Sequence, residues 1–99
     1  MKGAKHSMKC FSISLECQID SDDVKYISDV YNLVVVDVTR FYIEDCKRSN
    51  PESKYCGSPV YMFVGSIVNV YRYVRFMYGV DMSDSEIEEL MKEVKVCEI

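Results

Sequence analysis

The sequence predicts a helix-rich α+β fold in a single domain. Residues 11–19 alternate apolar with polar side chains at a period of two, as a half-buried strand does. Later stretches repeat their apolar residues at helical spacing and carry helix-start signals. The 99 residues are 48% hydrophobic and 28% charged, values of one globular domain and not of a disordered chain. The expected order is an N-terminal strand, two long amphipathic helices, a short C-terminal helix and a C-terminal strand.

Residues 1–7 read as a flexible tail ahead of a globular unit over residues 8–99. In the first strand, Phe11, Ile13, Leu15, Cys17 and Ile19 face one way and Ser12, Ser14, Glu16 and Gln18 the other. Asp20 or Ser21 then caps a helix. Ile19 and Val24 are spaced as a hydrophobic staple across that cap, and Asp22 and Asp23 sit at the positive helix end.

The extent of this helix is open to two readings. At about 100° per residue, Val24, Ile27, Val30, Tyr31, Val34, Val35, Val38, Phe41 and Tyr42 fall in one sector roughly 140° wide. That phase favours one long helix from Val24 to Tyr42. The alternative is a helix ending near Tyr31 and a strand over Leu33 to Ile43, because Leu33-Val-Val-Val36 and Phe41-Tyr-Ile43 are rich in β-formers. Strand alternation is broken by Asp37 and Arg40, and the long helix is the reading taken forward.

A polar loop follows over Lys47 to Lys54, with Asn50-Pro51 as its breaker. Ser58 as N-cap, Pro59 at the first helical position and Gly79 just past the end bound an apolar helix of about twenty residues, roughly 30 Å long. Ser83 and Glu86 have capping-box spacing, and Met82 with Ile87 forms a second staple. Ile87, Leu90, Met91 and Val94 form the stripe of a terminal helix. Lys95 to Ile99 alternates and reads as a short strand beside the first.

Charge and residue usage exclude several classes. A net charge of −4 disfavours a dedicated nucleic-acid binder, whose affinity rests largely on phosphate neutralisation. No secretory signal is visible at Met1 to Ser7, and the apolar run from Pro59 to Tyr71 is too short to span a bilayer, so no membrane span is expected. The five cysteines show no Cys-x-x-Cys spacing, and the one histidine is His6 in the tail, so no metal site or cofactor is expected. Cys46 and Cys56 flank the polar loop and are the one pair placed for a disulfide, against an alternative of small buried thiols. Gly3, Gly57, Gly65 and Gly79 are too scattered for a phosphate loop. Asp37, Glu44 and Asp45 are the carboxylates that a metal-dependent nuclease would need, though as surface charges they need no such role. No catalytic constellation emerges.

The segment from Pro59 is the one functional hint. On a helix, one half holds Val60, Phe63, Val64, Ile67, Val70, Tyr71, Val74, Met77 and Tyr78, as a core face does. The other half carries Tyr61, Met62, Val68, Arg72, Tyr73, Arg75 and Phe76. Tyr, Phe, Met and Arg are enriched in protein interfaces, which makes these seven the candidate partner surface. The competing expectation packs this half under the terminal helix, with Arg72 or Arg75 paired to its carboxylates. The functional expectation is a non-enzymatic protein acting through protein–protein contacts, with a homodimer as one form. An acidic decoy of a host nucleic-acid-binding or defence protein is the alternative. A nucleic-acid-binding regulator is the third, on the aromatic–arginine mix and a short turn at Gly79 to Met82.

A valine-, tyrosine- and isoleucine-rich chain of this length with one glutamine, Gln18, resembles the small orphan proteins of crenarchaeal filamentous viruses, of the Acidianus filamentous virus, lipothrixvirus and rudivirus type. The resemblance lies in length and composition over the whole chain, and no residue role is carried over. It implies a thermostable viral accessory protein in a host living in hot acid, a location in the host cytoplasm, and a topology without close relatives.

Overall fold

The computed structural model describes residues 9–49 and 58–98. The order is β1 (Lys9–Glu16), α1 (Ser21–Tyr31), β2 (Val34–Asp37), α2 (Thr39–Ser49), β3 (Val60–Gly65), α3 (Ile67–Tyr78), α4 (Asp84–Met91) and β4 (Lys95–Glu98). This is an α+β fold. Its four strands form one antiparallel sheet in the order β2-β3-β1-β4. The tail at residues 1–7, most of the polar loop and Cys56 lie outside the described residues.

The alternation in β1 does what its period dictates. Ile13 and Leu15 are buried on one face, directly opposite Phe63 and Tyr61 of β3, and Val35 of β2 continues the row beyond Phe63. Onto this face pack Ile27 and Tyr31 of α1, Val70, Tyr73 and Val74 of α3, and Ile87 of α4. Two of the three helix starts read from the sequence are present. Asp20 accepts from the Asp23 N–H while Asp23 accepts from the Asp20 N–H, and Ser83 and Glu86 make the same reciprocal pair. β4 lies beside β1, as its alternation indicates.

Two expected long helices are corrected. The chain does not run helically from Val24 to Tyr42: α1 stops at Asn32, whose φ of 53° and ψ of 47° place it in the left-handed region. Asn tolerates that conformation better than most residues and ends helices there. β2 follows, so the alternative reading is right to end the helix near Tyr31 and to start a strand. It is wrong beyond Asp37, where α2 begins. The Asp37 carboxylate accepts the Thr39 N–H at 2.9 Å, and the Thr39 hydroxyl both accepts the Val60 N–H and donates to the Val60 carbonyl, at 2.9 and 3.2 Å. This hydroxyl fastens the start of α2 to the start of β3.

The helix expected from Pro59 is likewise two elements. Ser58 and Pro59 lead into β3, where the Pro59 carbonyl accepts the Cys17 N–H at 3.0 Å. The helix begins only after Ser66, whose hydroxyl accepts the Asn69 N–H at 3.1 Å. Its end at Gly79 is where the sequence places it.

The second sheet face carries Ser12, Ser14, Met62, Val34 and Val36. Val38 and Val60 are buried near the start of α2, and Phe41 and Tyr42 of α2 share a groove with Ser12, Ser14 and Met62. No residue of α2 is buried, so this face is only partly covered by the described residues.

The register also sets Cys10 of β1 directly opposite Cys97 of β4, both free thiols. Opposed Cα atoms in an antiparallel pair lie about 4.5–5.5 Å apart, inside the range a disulfide spans. Titration with oxidised glutathione should therefore consume these two thiols together, releasing two molecules of glutathione and leaving a peptide cross-linked at 10 and 97. Cys10→Ser should leave Cys97 only as a mixed disulfide, readable by non-reducing mass spectrometry.

Candidate protein interface

The seven residues expected to form one partner surface lie in separate places, because the helix that was to join them does not exist. Tyr61 is on the core face of β3, half-buried, with its hydroxyl 3.5 Å from the Ile19 carbonyl. Met62, next along the strand, points to the second face. Val68 is 62% exposed on the first turn of α3, beside Ile67, Tyr71 and Met91, which line a shallow apolar groove between α3 and α4. Tyr73 is 1% exposed and belongs to the core, with its ring centroid 4.6 Å from that of Phe63 and 5.5 Å from that of Tyr31. It is removed from the partner surface.

The two arginines differ. Arg75 pairs with Asp84 at the start of α4 at 3.0 Å and donates to the Tyr71 hydroxyl at 3.1 Å. These two partners raise its already high pKa further. Packing of α3 against α4 with an arginine on the terminal helix's carboxylate is thus present as expected. Arg72 has no such partner among the described residues; its guanidinium lies 5.5 Å from the centre of the Tyr31 ring. Phe76, 55% exposed, lies 6.1 Å from Tyr26 and 5.5 Å from Tyr31 by ring centroids. A cluster of α1 and α3 therefore joins exposed Tyr26, Phe76 and Arg72 over the buried ring of Tyr31. Tyr26 was legible only as a residue of the first helix; its meeting with Phe76 depends on how two helices cross.

A different surface was missed altogether. β2 is an outer strand of the sheet, and among the described elements none pairs with its outer side. The Val38 N–H bonds to the Val60 carbonyl. Backbone groups alternate in direction along an antiparallel strand, so Val34 and Val36 share that phase and face β3. Val35 and Asp37 then present their N–H and C=O groups at the free edge. The side chains of Val34 and Val36 lie on the second face, 62% and 38% exposed. Three consecutive valines, with no proline and the strand's one charge, Asp37, at its end, leave most of this edge unblunted, and such edges pair readily with other chains. β4, the other edge, carries Lys95 and Glu98 at its ends.

Among the described residues no group of three or more His, Cys, Asp or Glu side chains is gathered for a metal ion. Asp37 accepts the Thr39 N–H, and hydrogen bonding at Thr39 holds its carboxyl below the usual range. Burial pushes the Cys17 thiol up, away from the nucleophilic thiolate. Cys46 is disulfide-bonded, and its expected partner Cys56 is outside the described residues. No described helix is long and apolar enough to cross a membrane. No protein-family model, curated protein or solved structure matches the chain.

Proposed function

We propose that the chain is a non-enzymatic contact protein and that its first partner is a second copy of itself, joined through β2. The observation that carries this reading is the free edge of β2, charged only at its last residue, Asp37, with two exposed valines beside it. A twofold axis at Val35 would set Val35 against its counterpart and Val34 against Val36 of the other copy. The two sheets would become one of eight strands. A twofold pairing uses the same patch on both copies, which is the commonest form of homodimer. The ladder satisfies the edge N–H and C=O groups of Val35 and Asp37. Phe41 and Tyr42, exposed on the same side of the sheet, add apolar surface that a four-residue strand alone does not supply.

Light scattering on a gel-filtered sample is expected to give twice the 11.5 kDa chain mass. The double substitution Val34→Lys with Val36→Lys places like charges opposite each other across the axis, where they repel. It should return the protein to a monomer while leaving its circular dichroism unchanged, since both side chains are exposed. A monomeric wild type at high concentration removes the reading; a dimer that survives both lysines assigns the contact to another surface.

A further inference from the structure

A cavity of about 330 Å³ lies between α1 and α3, on the far side of the core from the free edge's open face. The rings of Tyr26 and Phe76 line it, with Ile27 beside them. Tyr73 lines it too. Its side chain is 1% exposed, and no hydrogen bond reaches its hydroxyl among the described residues. A buried hydroxyl without a partner is costly, and the core does nothing to satisfy this one. Asp23 is the one charged residue in the lining. Its Oδ2 accepts the Asp20 N–H at 3.1 Å, and Oδ1 has no partner among the described residues. No lysine or arginine lines the cavity, while Asp20 and Asp22 add negative charge beside it. The adjoining rings already hold one cation, the guanidinium of Arg72 over Tyr31.

We propose that this cavity receives one lysine or arginine side chain of a partner protein, its stem on Tyr26 and Phe76 and its charged head between Asp23 and Tyr73. Aromatic walls with a carboxylate at one end match an apolar stem that ends in a cation. The head would donate to Asp23 Oδ1 and to the lone pairs of the Tyr73 hydroxyl. The volume is near the lower limit for ligand pockets, which suits one side chain better than a larger molecule. The inference shares with the proposed function only the premise that the chain acts by contact. The β2 edge is read by mass and this cavity by titration, so either can fail alone.

The test is a titration of the full chain with N-acetyl-lysine methylamide, followed by NMR of the aromatic resonances. N-acetyl-norleucine methylamide supplies the same stem without the charge, and N-acetyl-glutamate methylamide the opposite charge. Saturable shifts at Tyr26, Phe76 and Tyr73 are expected with the lysine compound. The norleucine compound should bind at least about tenfold more weakly, as losing one charge-assisted contact implies. Asp23→Asn, which keeps an acceptor for the cap, should weaken lysine binding by a similar factor with an unchanged amide spectrum. Tyr73→Phe should weaken it severalfold. Norleucine or glutamate binding as well as lysine overturns the proposal, as do wild-type titrations of both variants, or no shift up to the solubility limit. Tighter binding of the arginine analogue would keep it and name the head group.

Discussion

Tyr73→Ala is expected to lower folding stability by about 3–5 kcal/mol, the cost typical of emptying an aromatic site in a core. A domain of this size is stabilised by about 5–15 kcal/mol in all, so the variant should sit near its unfolding midpoint under mild denaturant. Tyr73 is 1% exposed and its ring contacts those of Phe63 and Tyr31. It joins the sheet to both α1 and α3, and no single neighbour can move in to fill the space. Urea unfolding should show a lower midpoint with an unchanged slope, the sign of lost stability without a changed unfolded state.

Tyr73→Phe separates the ring from its hydroxyl. Because the hydroxyl has no partner among the described residues, the phenylalanine variant should match the wild type within about 1 kcal/mol or exceed it. The same variant should lose part of the alkaline sensitivity of the fold. Burial first, then the nearby Cys17, Tyr78, Asp23 and Tyr31, raise the Tyr73 pKa above its ordinary value near 10. A group raised on folding contributes stability that is fully present below the unfolded pKa and is lost as pH rises through the folded one. Wild-type stability should therefore hold steady up to about pH 10, the ordinary tyrosine value, and fall above it. Tyr78, raised by burial and then by Cys17 and Glu16, acts in the same direction and should leave Tyr73→Phe with a smaller decline. An equal alkaline decline in both proteins would assign the effect elsewhere. A side chain that costs the fold nothing to simplify, yet whose loss weakens ligand binding, would have its hydroxyl explained by function.

How much of this was legible depended on whether each element faces water. β1 alternates because one of its faces is only partly covered, and its period was plain. The capping boxes at Asp20 and Ser83 are local chemistry between residues three apart and needed no tertiary information. β3 failed for the opposite reason. It lies between β2 and β1, with Phe63 buried on one face and Val60 buried on the other, so both faces are apolar and the period of two disappears. A continuous apolar run cannot be told from a buried helix by periodicity. Ser58-Pro59 imitates a helix start, while the working cap, Ser66, stood inside the run. The break at Asn32 had a signal, an Asn able to adopt the left-handed conformation, but the accidental helical phase of Val34, Val35 and Val38 outweighed it. The candidate surface inherited that error. Seven residues placed on one imagined helix face scattered, and two of those that remained exposed, Arg72 and Phe76, acquired meaning from α1 residues far away in sequence.

Gly65 is where the corrected boundary between β3 and α3 has its sharpest consequence. A Cβ added there would come 2.6 Å from Leu33 Cδ2 and 3.3 Å from the Asn32 carbonyl oxygen. Leu33 is 1% exposed within the core cluster, and Asn32 is fixed by its left-handed conformation at the end of α1, so neither neighbour yields freely. Replacing a glycine by alanine where the backbone permits it gains about 0.4–1 kcal/mol by restricting the unfolded chain. Overpacking a filled core costs about 1–3 kcal/mol, and at this contact it should win. Gly65→Ala is expected to destabilise, and Gly65→Val to do so further. The cause can be isolated with Leu33→Ala. Alone, that change should cost about 2–5 kcal/mol by leaving a cavity. Combined with Gly65→Ala, it removes the colliding methyl and gives the new one space, so the double variant should be more stable than the sum of the singles by about 0.5–3 kcal/mol, the coupling range of residues in contact. Strict additivity would place the cost in the backbone near Asn32 and not in the side chain of Leu33. A helix running through residue 65, as the sequence alone suggested, predicts the opposite sign for Gly65→Ala, since alanine is the better helix former by about 1 kcal/mol; the measured sign thus decides between strand and helix at this position.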